Sequence, residues 1–410
     1  MNETTSTRPR VLITGASVAG PTLAWGLSQA GFETVLLERS AEQRTTGQNV
    51  DVRGVGREVI RRMGVEEAIL AQRTGERGTR YVHESGAPYA QFPQIDGEDG
   101  PTAEIEILRG ALAGILVEAI PSSVQQRYGD HIEHLEQDDS GVSVSFASGG
   151  SERFDLVLVA EGRSSRTRRI AFAEQTALKD FGVTITYGTL DRRDDDRDLW
   201  DWFTAGRGRV ASIRPDNVGT MRASLSFESE PMGFESLPVD AQLTILRARF
   251  AGGGWQTSRI LDGFTARPDE FYVQRMEQVI MSRWSNGRVA LIGDAAWGSG
   301  PTGMGTTLAL VGAYLLAGEL SKELERGATP FDPIRAFRTY EHLMRRYADS
   351  AQGLPRGGAR LLHPSTEGGV RLFKAAMRVA ASKPIRRFAQ ANLLTSEKHV
   401  PRLRSYKAFD

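Results

Sequence analysis

The segment from Val11 to Glu38 constrains the fold more than any other part of this chain. Val11-Leu12-Ile13 is a short apolar run of the kind that forms a buried strand. Gly15-Ala16-Ser17-Val18-Ala19-Gly20 then makes a turn. Residues 21–30 carry a helical pattern with Pro21 in the first turn, where its missing N–H does no harm, and Gly31 stops the helix. A second apolar run, Thr34 to Leu37, ends at Glu38. The segment therefore predicts a βαβ opening.

A turn of the form G-x-G-x-x-G between a strand and a helix, with an acid about 20 residues on, binds dinucleotides. Gly15 and Gly20 supply the first and third glycines, and Ser17 stands at the middle position. The first glycine permits the tight turn, and the third lets the helix pack close to the strand. Ser17 is small enough for a pyrophosphate to approach, and its hydroxyl is a donor to a phosphate oxygen. Val18 and Ala19 complete the turn and are grouped with the site, next to the helix N-terminus, where the dipole favours the phosphate charge. Glu38 is placed to accept from ribose hydroxyls, and Arg39 beside it is grouped with the same site. This segment by itself leaves NAD and FAD both open. Thr14-Gly15-Ala16-Ser17 also resembles the opening of short-chain dehydrogenases, but their Tyr-x-x-x-Lys pair is absent: no tyrosine here has a lysine four residues on.

Bulk properties narrow the class. The 410 residues are 40% apolar, enough for more than one domain. Lys+Arg and Asp+Glu both number 51, so nothing global points to nucleic acid. There is no cysteine, which excludes disulfides, thiolate metal sites and cysteine nucleophiles. The six histidines show no metal-ligand spacing, and no metal is expected. The first ten residues are polar and lack a secretory apolar core, and no apolar stretch is long enough to span a bilayer. A soluble, cytoplasmic protein is the expectation. From residue 351 to 410 there are twelve Lys/Arg against three Asp/Glu. A solvated face of C-terminal helices accounts for such a run, and attraction of an anionic partner is the sharper alternative.

Along the chain, residues 55–72 look helical, and 79–92 form a hairpin turning at Glu84-Ser85-Gly86. Residues 104–108 are extended, and Arg109 opens a helix to about Ala119. Short strands follow, then a buried-type run at 154–160. Residues 181–271 read as a sheet-rich unit interrupted by a helix at 239–250. Helices are expected at 306–324, 333–347, about 369–381 and about 385–394.

The second informative segment is Val289-Ala290-Leu291-Ile292-Gly293-Asp294, a buried-type strand ending in Gly-Asp. An acid at a strand's carboxyl end lies where α/β proteins bind ligands, and it accepts from polyol hydroxyls. Gly300-Pro301-Thr302-Gly303-Met304-Gly305-Thr306 follows, directly before the long helix. Glycines there expose backbone N–H groups, and the dipole stabilises an anion developing on a ligand ring.

With these residues in place the chain resembles the group A flavin-dependent aromatic hydroxylases, and most closely their short members, which include the tetracycline-inactivating monooxygenases. The resemblance runs through the fingerprint, the middle segment and the Gly-Asp helix in family order. It implies FAD as cofactor. Asp294 takes the acid's role at the ribityl chain, and Pro301, Gly303, Met304 and Gly305 face the flavin ring. The family often has Asn after these glycines, whereas Thr306 and Thr307 follow here. Ile107-Leu108-Arg109-Gly110 resembles the family segment whose arginine opens a helix beside the ribityl chain, which implicates Arg109. Asp155 to Arg166 resembles the family's Asp-Gly motif, with Glu161 in place of the second Asp; that motif is associated with both FAD and NADPH.

The fold implied is α/β: a Rossmann-type FAD-binding domain from residues 1–75, 101–178 and 280–345, a sheet-rich substrate domain from 76–100 and 179–279, and C-terminal helices from 346–410. The chemistry implied is FAD reduced by NADPH or NADH, then reacting with O2 to a C4a-hydroperoxide that gives one oxygen to an aromatic or polycyclic, polyketide- or tetracycline-like substrate. The protein's part is positioning, water exclusion and electrostatics. No side chain is nominated as a base. Trp202, Met221 and Phe227, which alternate with polar residues, are candidates for the substrate pocket, as are Trp297 and Thr302 by their place near the flavin. Two rivals remain: a flavoprotein with other redox chemistry, against which the absence of a Trp-x-Trp-x-Ile-Pro motif counts for halogenases, and a non-catalytic binder of FAD or a small molecule.

Overall fold

The computed structural model describes residues 8–45, 47–94, 103, 105–300, 302–327, 331–353, 358–385 and 399–409. Pro301, and nearly all of the helical stretch expected at 385–394, lie outside the described residues.

The chain opens with β1 (Arg10–Thr14), α1 (Ala19–Gln29) and β2 (Glu33–Glu38), the predicted βαβ unit with α1 starting two residues early. The short β3 (Asn49–Val52) follows. The helix expected over 55–72 is two helices, α2 (Val55–Arg62) and α3 (Glu66–Ala71). Gly64 breaks it with a φ of 73° that turns the chain between them. The hairpin forms as β4 (Gly78–Val82) and β5 (Pro88–Pro93), its turn closed by two 2.9 Å bonds: the His83 N–H donates to the Ala87 carbonyl, and the Gly86 N–H donates to the His83 carbonyl. Next come β6 (Ile105–Leu108) and α4 (Arg109–Glu118), then β7 (Gln125–Tyr128), β8 (Ile132–Gln137), β9 (Val142–Phe146), β10 (Ser151–Phe154), β11 (Leu156–Val159) and α5 (Arg166–Ala171).

The 16-residue β12 (Thr176–Asp191) leads into β13 (Trp200–Gly206), β14 (Arg209–Pro215) and β15 (Thr220–Glu228). Helices α6 (Val239–Arg249) and α7 (Thr257–Ala266) precede β16 (Tyr272–Met281). The sequence pattern did not predict α7, whose Thr and Gly content is poor for a helix. Tertiary contact holds it: a Cβ on Gly263 would lie 2.2 Å from Leu190 Cδ2, so glycine lets α7 rest directly on β12. The chain continues through β17 (Ser285–Asn286), β18 (Val289–Leu291), α8 (Asp294–Trp297), α9 (Gly305–Glu325), α10 (Ile334–Gln352) and α11 (Glu367–Ala380).

Two large sheets organise these elements. The first has six strands in the order β17-β18-β11-β1-β2-β7. All its neighbours run parallel except the β17–β18 edge. Ile13 of β1 is flanked by Leu36 and Leu158, and β1, β11 and β18 are buried along nearly their whole length, which explains their unbroken apolar sequence. Helix α1 covers this sheet and meets α9 closely: a Cβ on Gly26 would sit 2.8 Å from the Ala317 Cβ. The second sheet has seven strands in the order β16-β12-β15-β14-β13-β4-β5, mostly antiparallel. One of its faces packs on α6 and α7 through Leu225, Phe227, Leu246, Phe250 and Phe264. Its other face is the more polar one and turns toward the first sheet's ligand edge.

Candidate functional site

The loop after β1 is shaped by two glycines. Gly15 has a φ of 99°, and its N–H donates to the Leu37 carbonyl at 2.7 Å, so the turn is tied to the tip of β2. A side chain on Gly15 would strike the Ala160 carbonyl at 2.4 Å, and one on Gly20 would strike the Gly15 carbonyl at 1.8 Å. Gly20 lies in the contact between helix and loop. Ser17 Oγ accepts from Arg109 Nε at 3.2 Å, which joins the loop to the start of α4.

Glu38 braces this loop. One carboxylate oxygen accepts from the Ala16 N–H and the other from the Ser40 N–H, both at 2.9 Å. A carboxylate has about four acceptor positions, so both oxygens keep capacity for a ligand hydroxyl. Glu161 is engaged more fully: it accepts from Ser165 Oγ, from the Thr167 N–H and from Thr167 Oγ1. It thereby fixes the start of α5, a structural task the sequence did not disclose.

Two cavities open along the ligand edge of the first sheet. One, of about 730 Å³, is lined by Gly15, Ser17, Glu38, Arg39, Arg109 and Glu161 among others. The other, of about 520 Å³, is lined by Val18, Ala19, Asp294, Thr302, Gly303 and Gly305, and by Trp202 across from them. Both contain Ser17, Arg109, Ala160 and Gly162, so they form one continuous trough. Its length suits an extended dinucleotide, and it runs from Glu38 and Arg39 at one end to Asp294 at the other.

Asp294 begins α8, directly after Gly293, whose φ is 62°. Its side chain is open to the cleft, yet it stands on the cleft floor with protein packed around it. That crowding pushes its carboxyl above the ordinary value, against the opposite pull of Arg109, Arg163 and Arg168. A Cβ on Gly305 would lie 3.4 Å from Asp294 Oδ1, so glycine keeps the carboxylate accessible at the mouth of α9. Gly300 and Gly303 both take positive φ, 71° and 73°, and wind the chain into the 21-residue α9. Met304 caps that helix from behind and packs on the core, so it does not line the trough. These glycine-made approaches and the acceptor at Asp294 fit FAD.

The wall opposite the glycine segment comes from the polar face of the second sheet. Trp200 and Trp202 stand 4.8 Å apart, and Tyr81 lies 6.2 Å from Trp202. Ser212 and Ser224 share a 2.8 Å hydrogen bond beside them. Trp200 is held from behind by Arg214, whose guanidinium carbon is 3.8 Å from the ring centroid. Arg214 is itself buried between Glu76 and Glu106, and Asn49 Nδ2 donates to Glu106 at 2.6 Å. Burial, with Glu106 close by, pushes Glu76 up to about 8 despite the attraction of Arg214.

Three pocket assignments from the sequence are corrected. Met221 and Phe227 are 2% and 3% exposed and point to the opposite face of β15, into the core with α6 and α7. Their alternates on β15, Arg222, Ser224 and Ser226, line the trough, with Ala223 between them. Trp297 is 1% exposed and packs against Trp284 at 4.5 Å and Tyr340 at 6.0 Å. The missing side chain of Gly312 makes room for it in α9, where a Cβ would be 2.9 Å from the indole. Trp297→Ala is therefore expected to cost about 3–5 kcal/mol of stability, read from urea unfolding, while leaving the apparent affinity for substrate unchanged. Residues the sequence did not single out also line the trough: Gln48, Asn49, Asp51 and Arg53 around β3, and His363. No periodic pattern marks them, because β3 is four residues long and His363 follows a short turn.

The parallel sheet, the two-glycine loop and the trough ending at an acid define a flavin-binding oxidoreductase. The match to known proteins is more specific. Residues 8–346 match the FAD binding domain family. The flavin-dependent monooxygenase eupH of Phoma sp is 35% identical over 404 residues, covering 92% of this chain and 93% of that protein. Tetracycline destructase Tet(55) superposes with a TM-score of 0.78 at 29% identity, over 97% of this chain and 99% of that one. HpxO of Klebsiella pneumoniae, in complex with FAD and uric acid, shares the fold with a TM-score of 0.75 at 21% identity, over 96% and 99%. The chain belongs to the FAD binding domain family, the group A flavin monooxygenases, and is an FAD-dependent monooxygenase. Among the described residues no helix is long and apolar enough to cross a membrane.

Proposed function

We propose that this chain consumes NADPH or NADH and O2 to insert one oxygen atom into an aromatic or polycyclic, polyketide- or tetracycline-like small molecule. The observation that carries this reading is the second cavity: an aromatic wall of Tyr81, Trp200 and Trp202 faces the Asp294–Gly303 edge across about 520 Å³. Flat apolar walls with a few fixed polar groups suit a ring system. The tetracycline destructase named among the neighbours supports the polycyclic choice.

In this reading Gly15, Ser17 and Arg39 hold the ADP end, Arg109 lies alongside the linker, Asp294 takes the ribityl hydroxyls, and Gly303 and Gly305 stand at the ring. The bound flavin supplies the redox and oxygen-transfer chemistry. The chain binds and orients the substrate, and the N–H groups at the start of α9 favour negative charge on the reduced ring. Its aromatic wall keeps water from the reacting carbon.

The test is NADPH oxidation by FAD-loaded protein, with a panel of phenols, fused-ring polyketides and tetracyclines, followed by mass spectrometry of the products. A compound that stimulates oxidation and gains one oxygen atom is the expected result. NADPH oxidation that no compound stimulates would overturn the proposal and leave a binder.

A further inference from the structure

A ring hydroxyl on the substrate must ionise for the ring to attack an electrophilic oxygen readily, which calls for a proton acceptor on the trough wall. One buried pair on the trough wall has the chemistry for it. Ser226 and His363 are each 3% exposed, and Ser226 Oγ lies 2.8 Å from His363 Nε2. Both line the second cavity, together with Thr302, Gly303 and Asp294. Among the described residues, His363 is the histidine that does so.

The placement is firm. His363 closes a turn in which its N–H donates to the Arg360 carbonyl at 2.9 Å, and the next residue's carbonyl, Pro364, accepts from the Gly208 N–H at 3.2 Å. The segment is thus clamped to the second sheet, and Ser226 projects from the polar face of β15 that also carries Ser224 and Arg222. Imidazole is the side chain whose ordinary pKa, about 6.5, lies near working pH, as a proton acceptor requires.

We propose that Ser226 and His363 form a relay that accepts the proton of an acidic ring hydroxyl, a phenol or enol, on the substrate. This rests on the monooxygenase reading above. With the histidine's own proton on Nδ1, Ser226 donates to Nε2 and its oxygen faces the substrate hydroxyl. The substrate O–H bond breaks and its proton goes to Ser226 Oγ. The Ser226 proton goes to Nε2. The products are a phenolate or enolate and an imidazolium. The freed electron pair enriches the ring carbon that takes up oxygen, and the proton returns when the product hydroxyl is restored. The substrate class is thereby narrowed to rings that carry an ionisable hydroxyl.

Charged groups surround the relay. Arg360 lies on its own turn, which packs on β12, and Asp180 of β12 is paired with Arg275 of β16. Arg214, Arg222, Asp51 and Arg53 line the same cavity. Asp294 lines it too, with its carboxyl raised, and Glu76, pushed up to about 8, is paired with Arg214. A limb is therefore assigned to the imidazole by its loss in a His363 variant and not by its position on the pH axis.

Two measurements on the FAD-loaded full chain test the proposal, in wild type, His363→Asn and Ser226→Ala. The first is the pH profile of phenol-stimulated NADPH oxidation. Wild type should show an acid limb, and His363→Asn should lose the limb and about a hundredfold in stimulated rate. A limb and rate that survive the substitution would sink the relay; a purely structural role would lower thermal stability and leave the limb. The second uses 4-fluorophenol and ¹⁹F NMR, and needs no turnover. The bound probe should ionise about tenfold more readily on wild type than on either variant. Equal ionisation on all three proteins, or no binding to any, would overturn it. If no phenol stimulates NADPH oxidation, the functional reading fails, and the fluorophenol result still decides the relay.

Discussion

Asp294→Ala is expected to give folded protein that purifies without its yellow cofactor. The carboxylate stands at the end of the trough, reached past glycines at 303 and 305. A hydrogen bond to a charged acceptor is worth about 1.5–3 kcal/mol, so the loss corresponds to roughly ten- to hundredfold weaker FAD. Fluorescence titration of released FAD measures it, and stoichiometric FAD in the variant would contradict the role. Stability should move the other way. The protein packed around the cleft floor holds the Asp294 carboxyl above its ordinary value. For such a raised group, the stability it contributes is fully present below the unfolded pKa, about 3.9, and is lost as pH rises through the folded one. At neutral pH the empty protein therefore carries a penalty at this position. FAD-free Asp294→Asn should melt above FAD-free wild type at pH 7, and the gap should close in acid.

Arg214→Met is expected to be the most damaging single change in the substrate wall. It leaves the buried Glu76 and Glu106 without their shared cation and removes the support under Trp200. Breaking a buried ion pair from one side costs about 3–5 kcal/mol, which urea unfolding will read. Adding Glu76→Gln to that variant should recover part of the loss, since one fewer carboxyl is then stranded. The same cluster gives a pH signature in wild type. With Glu76 pushed up to about 8, its contribution is present in acid and fades as pH rises through that value. Glu76→Gln should flatten the decline in melting temperature on the alkaline side.

The sequence was legible where local chemistry leaves one solution. Gly15 and Gly20 are fixed by contacts of 2.4 and 1.8 Å that no side chain survives, so their spacing announced the loop. The apolar runs of β1, β11 and β18 are unbroken because both faces are covered. In β15 the two-residue alternation was equally plain, yet alternation names two faces and does not say which meets a ligand. Large apolar residues suggested a pocket at Met221 and Phe227, whereas α6 and α7 cover that face and the smaller Ser224 and Ser226 line the trough. Nothing in the sequence announces that α7 would form there. Arg214, Glu76 and Glu106 are an ordinary scatter of charges until three distant strands and loops meet. His363 lies 137 positions from Ser226, a separation that only the finished fold closes.

That β18 joins the first sheet beside β11 has a consequence for how the protein is made. β11 ends at Val159, but its partner does not leave the ribosome until residue 291, and Asp294 comes just after. The intervening residues must build most of the second sheet first. At about 5–20 residues per second, the nucleotide half waits several seconds to tens of seconds with one edge of its central strands open. If Asp294 holds the ribityl chain as proposed, cofactor capture is a late event in synthesis. A nascent chain halted before that residue would carry the βαβ opening without the acid proposed to hold the ribityl chain.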